Sequence, residues 1–302
     1  VSKVSIISPT RNELFVNETI NDVLAKAEGD IEVIVNIDEN WPDKIIDDKR
    51  VTYLHPVTPQ GMRAGINACA KKATGDYLMK IDGHCMFAQG FDTVLKADMQ
   101  DNWIVIPRRH SLNPLTWSID QNGKSGRDYH YLCFPNPGKD HDWGIHGVEW
   151  PERSRQRANK EEYLIDDTPS FQGSCWFMKR TWFTDFLGGM NEHGYGSFSQ
   201  EPQEIGMKTW LGGGEIKVNK KTWYAHLHKG KTFGRMYHQS QREIIEGHNY
   251  SAWFWATNQW KNRIHDLKWF VEKFWLMPTW PENWEQQIND FWPQYGKDHN
   301  YV

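Results

Sequence analysis

Between Tyr77 and Cys85 the chain reads Tyr-Leu-Met-Lys-Ile-Asp-Gly-His-Cys, an apolar strand running directly into an acid, a glycine and a histidine. A buried strand of this kind delivers Asp82 and His84 to the carboxyl edge of a sheet, and Gly83 keeps the turn between them free of bulk. Both side chains can then reach one divalent cation. A carboxylate oxygen with an imidazole nitrogen suits a borderline metal such as manganese, with magnesium as the alternative, better than calcium, which prefers oxygens only. The same tripeptide also suits an ordinary turn in which Asp82 caps the next segment. A second chemical stretch lies between Ile216 and Arg242, where seven Lys or Arg residues occur with no acid. Trp223, Tyr224, His226, His228, Phe233 and Tyr237 are interleaved with them. That mixture can hold phosphates and stack a ring, and it equally describes a solvated face.

The elements that must position these residues alternate. Val4 to Ile7 is apolar and β-branched, and Ser8-Pro9-Thr10-Arg11-Asn12-Glu13 breaks it. A helix through Ile20 and Leu24 leads to strands at Ile31 to Ile37 and Val51 to Leu54. A second helix follows, with Met62, Ile66, Cys69, Ala70 and Ala73 at helical spacing, and then the strand ending at Asp82. This order predicts an α/β fold with a mostly parallel sheet, whose ligands bind outside the carboxyl ends of the strands, where Thr10, Asp38 and Asp82 fall. No GxGxxG follows the first strand, so a dinucleotide fingerprint is missing. From Pro107 to about Asp167 periodicity fades into a Gly-, Pro- and Asn-rich excursion. A helix from Gln203 to Leu211, then strands Glu215 to Val218 and Thr222 to His226, restore order. Beyond Arg235 the pattern is helical and dense in tryptophan, which predicts rings docking helices on the core, with an acceptor platform as the alternative.

At 302 residues and 38% hydrophobic content the chain can bury a real core. A net charge of −4 argues against a uniformly basic nucleic-acid binder. Four cysteines without a Cys-x-x-Cys pair suggest neither a zinc cluster nor a disulfide framework. No apolar run of about 18 residues occurs, and the first residues enter a strand directly. The expectation is a cytoplasmic protein without a membrane anchor.

Taken in order, Ser8-Pro9-Thr10-Arg11-Asn12-Glu13, Asn36-Ile37-Asp38-Glu39, the helix carrying Arg63 and Asn67, Gly75-Asp76-Tyr77 and Asp82-Gly83-His84 resemble the successive signatures of a GT-A glycosyltransferase of the family 2 type. The resemblance covers about residues 1 to 235. Its local pattern is similar to the polypeptide N-acetylgalactosaminyltransferases, whose metal motif is likewise Asp-x-His-Cys. Their later Gly-Gly, Trp-Gly-Gly-Glu-Asn-x-Glu and Trp-x-x-Gly-Gly blocks resemble Gly173-Ser174, Gln200-Glu201-Pro202-Gln203-Glu204 and Trp210-Leu211-Gly212-Gly213. The resemblance implies a GT-A domain over 1–235, divided into a nucleotide-sugar half (1–106), the excursion (107–169) and a metal-completing half (170–235). A helical extension occupies 236–302. It implies a third metal ligand at His226, nucleoside contacts from Thr10, Arg11, Glu13 and Asp38, and donor contacts from Arg63 and Gly173. Lys229 and Lys231, or Arg235, would form a basic loop over the diphosphate, and UDP is the implied nucleotide. Glu201 matches the family's retained glutamate and is the expected catalytic carboxylate. Pro202 stands where inverting members carry an aspartate base, which favours a retaining outcome; a register shift of one residue would make Glu201 an inverting base. Glu204 then falls on a helix face or contacts the acceptor.

For the acceptor, the chain resembles short bacteriophage glycosyltransferases, some of which modify hydroxymethylated pyrimidines. That implies DNA phosphate contacts from Arg153, Arg155, Lys220 and Lys221. A cell-surface or small-molecule glycan is the alternative acceptor. A non-catalytic nucleotide-sugar or nucleic-acid binding protein is the alternative class, and the Asp82, His84 and His226 set argues against it.

Overall fold

The computed structural model describes residues 2–121, 126–136, 144–234 and 236–301. Strand β1 (Val4–Thr10), helix α1 (Val16–Lys26), β2 (Ile31–Ile37), β3 (Val51–Leu54), α2 (Met62–Lys72) and β4 (Tyr77–Ile81) follow the expected alternation. β5 (Cys85–Phe87), α3 (Phe91–Ala97) and β6 (Trp103–Asn113) come next. The excursion then holds β7 (Ser118–Ile119), β8 (His130–Leu132), β9 (Gly147–Glu149), α4 (Pro151–Arg157) and β10 (Ile165–Asp167). β11 (Cys175–Lys179), α5 (Glu201–Leu211) and β12 (Glu215–His226) complete the sheet, and α6 (Gly230–Phe233), α7 (Gln241–Ala256), α8 (Leu267–Lys273) and α9 (Trp284–Asp298) close the chain.

The main sheet runs β10-β12-β6-β11-β4-β1-β2-β3. β3, β2, β1 and β4 are mutually parallel; β11 is antiparallel to both β4 and β6, so β6 and its parallel neighbour β12 run the same way as β4. Only β10 and β11 oppose that common direction on this path, so the mostly parallel expectation holds. The near-continuous apolar runs of β1 and β2 follow from burial on both faces. One face packs α1 and α3 through Val16, Ile20, Val23, Phe91 and Leu95. The other packs α2, α5 and the C-terminal helices through Ile66, Ile205, Trp210, Trp255 and Trp292.

Two expectations shift. β6 runs across the boundary placed at residue 107, with Pro107 paired in register to Asn219, so the excursion begins within the sheet. The strand pair 215–218 and 222–226 is one strand, β12, with an irregularity between Asn219 and Trp223 that absorbs the polar Lys220-Lys221 step. The C-terminal helices share one apolar cluster with the sheet. Trp280 Nε1 donates to the Leu132 carbonyl (2.7 Å) and Trp292 Nε1 to that of Pro135 (3.2 Å), so these rings pin the excursion to the core. All four cysteines are buried, and none forms a disulfide. Among the described residues no helix is long and apolar enough to cross a membrane.

Candidate active site

The carboxyl ends of β1, β2 and β4 release Thr10, Asp38 and Asp82 at one edge of the sheet, where a cleft of about 470 Å³ opens. β5 pairs antiparallel with β12 and sets Cys85 opposite His226, which carries His226 to the turn holding His84. The two imidazole centroids lie 4.7 Å apart. His226 Nε2 lies 3.2 Å and His84 Nε2 3.8 Å from Asp82 Oδ2. One ligand atom from each of the three residues falls within 4.8 Å of the others, a spacing one cation can bridge. Burial pushes the His226 imidazolium down to about 4, so the ring is neutral and keeps a lone pair for a metal. Burial alone would raise Asp82, but the Lys80 ammonium and the His226 hydrogen bond outweigh it and hold the carboxyl well below its ordinary range. The donor set therefore fits the manganese or magnesium expected from the sequence.

Gly83 is required by its neighbours: a Cβ there would come 2.8 Å from Glu13 Cγ and 3.0 Å from Thr10 Cγ2. Glu13 comes this close because its carboxylate reaches His84 and Lys229. Its Oε2 meets His84 Nδ1 at 2.9 Å and accepts from Lys229 Nζ at 2.7 Å, which leaves His84 Nε2 facing Asp82. Glu13 lines the cleft, where a nucleoside contact was expected, and also holds His84 and Lys229. Partners of this kind are worth about 10–100-fold in metal affinity, so Glu13→Gln should weaken Mn2+ binding by that factor in a calorimetric titration. Unchanged affinity would leave Glu13 without this role.

Thr10, Arg11 and Asp38 line the cleft as expected. Asp38 accepts from the backbone N–H groups of Gln60 (2.6 Å) and Gly61 (2.9 Å) and from Arg11 Nε (3.0 Å). Arg11 also lies 5.5 Å from the Tyr237 ring centroid, closing that end of the cleft. Lys229 lines the cleft through its contact with Glu13. Arg235 and the side chain of Lys231 lie outside the described residues.

Other expected site residues sit elsewhere. Arg63 is 1% exposed and does not line the cleft. Its guanidinium donates to the carbonyls of Asn191 and Ser199 (both 2.7 Å), pairs with Glu204, and stacks 4.4 Å from the Tyr195 centroid. It clamps the 190–200 segment onto α2 and α5. Glu204 is likewise buried, bound to Arg63 and, at 2.7 Å, to Lys208. Glu201 is 2% exposed beneath the cleft floor, accepting from Trp176 Nε1 (2.7 Å) and Lys80 Nζ (3.2 Å). Gly173 turns its carbonyl to the same Lys80 (2.6 Å). Glu201 and Gly173 are therefore layered under the site and do not face it.

The residues assigned to DNA are occupied. Arg153 donates to the Asp167 carbonyl and packs on Tyr129 and Trp150, and Arg155 pairs with Glu152. Lys220 donates to the Tyr129 hydroxyl (2.7 Å) and Lys221 to Asp98 (2.9 Å). None of the four lines the cleft. Sequence reasoning missed Lys80, Gln172, Ser197, Ser199 and Glu243. A lysine inside the otherwise apolar run Tyr-Leu-Met-Lys-Ile was the available signal, because a buried ammonium demands partners.

Known proteins resemble this chain over part of its length. A polypeptide N-acetylgalactosaminyltransferase 13 sequence of Drosophila melanogaster is 26% identical over 197 residues, 64% of this chain and 32% of that protein. Polypeptide N-acetylgalactosaminyltransferase 3 of Taeniopygia guttata is 23% identical over 206 residues, 65% of this chain and 32% of that protein. The chain thus spans about a third of the length of these curated relatives. A crystal structure of GalNAc-transferase 7 with UDP, GalNAc and Mn2+ superposes with a TM-score of 0.66 at 16% identity, covering 97% of this chain and 58% of that one, so the two share the GT-A-like fold. Residues 5–187, which carry Thr10, Asp38, Asp82 and His84, match the profile described as glycosyl transferase family 2, and the chain belongs to that family.

Proposed function

We propose that this protein is a metal-dependent glycosyltransferase that moves a sugar from a UDP-sugar to a hydroxyl group of an acceptor without a phosphate backbone. The observation that carries the reading is the convergence of Asp82, His84 and His226 at the mouth of β4, beside Thr10, Arg11 and Asp38. Arg11 and Asp38 form the nucleoside end, with the Tyr237 ring against the Arg11 guanidinium. Lys229, held beside His84 by Glu13, supplies a positive charge that can turn from Glu13 to an incoming diphosphate. A bound divalent cation would neutralise charge developing on the departing diphosphate. Once these groups are assigned, the polar part of the remaining wall comprises Gln172, Ser197, Ser199, His228, His238, Gln239, Ser240 and Glu243. Among the described residues it adds one carboxylate and no lysine or arginine, so it can hydrogen-bond a neutral polyol or hydroxyl side chain and offers a polyanion no further ammonium or guanidinium.

The wall supports a neutral acceptor over hydroxymethylated DNA, whose phosphate contacts would fall to residues already engaged by Asp98, Glu152 and the Asp167 carbonyl. The test is a panel of UDP-sugars offered with simple saccharides, Ser/Thr peptides and DNA bearing 5-hydroxymethylated pyrimidines, read by mass spectrometry. A hexose or N-acetylhexosamine mass on a neutral acceptor, insensitive to moderate salt, is the expected result. Transfer confined to modified DNA and falling steeply with salt would overturn the acceptor assignment.

A further inference from the structure

Lys80 poses a physical question that the metal ligands do not answer. It stands two residues before Asp82 on β4, on the same face as Leu78, in register with Ile7 of β1 and Trp176 of β11. Leu78 belongs to the apolar cluster on that face. A leucine or methionine would satisfy burial at position 80 as well, without removing an ammonium from water. The side chain of Lys80 is 1% exposed, and its amino group has three N–H donors with three acceptors in reach: Asp82 Oδ1 at 2.7 Å, the Gly173 carbonyl at 2.6 Å and Glu201 Oε2 at 3.2 Å. The other Glu201 oxygen accepts from Trp176 Nε1 at 2.7 Å. Every polar atom of this inner layer is therefore used, and the chain of contacts leads outward to a single atom, Asp82 Oδ1.

Resting on the metal reading above, we propose that Lys80 is a positioning residue that engages Asp82 Oδ1 so that Oδ2 alone is presented to the cation beside His84 and His226. Glu201 holds Lys80 in place and offsets its charge. A free aspartate can rotate about χ2 or offer both oxygens to a cation; one fixed from behind is already in its one-oxygen orientation, and less order remains to be imposed on binding. Two effects oppose each other when Lys80 is removed. Loss of a nearby positive charge favours a cation, and loss of orientation disfavours it. With the ammonium gone, the buried Glu201 carboxyl loses the partner that keeps it ionised and takes up a proton, so the net charge beside the site changes little and orientation dominates. The same balance fixes the sign for Glu201: neutralising it leaves the ammonium uncompensated close to the metal and weakens binding.

The experiment titrates Mn2+ into the wild type, Lys80→Met and Glu201→Gln by calorimetry and by electron paramagnetic resonance, each with and without UDP. Thermal unfolding is followed in chelator. Wild type should bind Mn2+; if it binds none, the metal reading itself fails and takes this inference with it. Lys80→Met should lose about tenfold or more in Mn2+ affinity and change the Mn2+ resonance, whereas UDP binding in chelator, which depends on the Asp38 end, should hold. Glu201→Gln keeps the size and hydrogen-bonding reach of the side chain and serves as the second variant should Lys80→Met not fold; it should lose about threefold to tenfold. Wild-type affinity in either folded variant, or tighter binding in Lys80→Met, would overturn the proposal. Loss of turnover in Glu201→Gln with Mn2+ affinity intact would overturn it in favour of direct participation of Glu201 in the chemistry.

Discussion

Replacing Asp82 with alanine should lower turnover of a UDP-sugar on the order of 10³-fold, because one substitution removes a metal ligand and breaks the array behind it. Asp82 Oδ2 is shared between the two imidazoles at 3.2 and 3.8 Å, so the cation site loses its central oxygen and keeps two nitrogens. Lys80 is left fully buried facing Glu201 and the Gly173 carbonyl, one acceptor short. Part of the damage should therefore appear in stability, and steady-state kinetics must be set beside a thermal melt. Asp82→Asn separates the two: it keeps the shape and an oxygen for Lys80 and removes the anion, so it should melt near wild type while turning over as poorly as the alanine variant. Turnover within tenfold of wild type in Asp82→Asn would place the metal elsewhere.

The second large effect is structural. Arg63→Ala should destabilise the fold by about 3–5 kcal/mol, the cost of removing one partner from a buried ion pair. Arg63 and Glu204 side chains are each 1% exposed, and the guanidinium also holds the Asn191 and Ser199 carbonyls and the face of Tyr195. Lys208 stays at 2.7 Å from Glu204 and takes up part of the loss. UDP affinity of the folded fraction, measured below the transition, should stay near wild type, because Arg63 does not line the cleft. A stable variant with greatly weakened donor binding would return Arg63 to the donor site.

What the sequence made legible was the part carried by strand ends. Thr10, Asp38, Asp82 and His84 each follow an apolar run within a few residues, so placing the strand places the side chain, and the resemblance supplied His226 at the end of β12. What it concealed was pairing across distance. Lys80 and Glu201 are 121 positions apart, Arg63 and Glu204 are 141, and only the β4–β11 register and the docking of α5 bring them together. An arginine in a helix facing the carboxyl edge of the sheet reads alike whether it binds a donor or a buried glutamate. The basic stretch shows the same limit: Lys221 finds Asp98, 123 residues earlier, and Lys217 finds Asp167, so lysines that look unpaired along the chain meet carboxylates in space. Of the tryptophans beyond Arg235, Trp253, Trp255, Trp260, Trp280, Trp284 and Trp292 dock on the core as expected, Trp269 packs partly buried against it and Trp275 is exposed.

If donor activation depends on a cation held by Asp82, His84 and His226, UDP release from a UDP-sugar by the metal-stripped protein reads it without reference to the acceptor. The account predicts release with added Mn2+, loss of it on chelation and recovery when Mn2+ is restored in excess, with His226→Ala inactive throughout. Equal release in chelator, or no release from any UDP-sugar when Mn2+ and an acceptor are present, would contradict it.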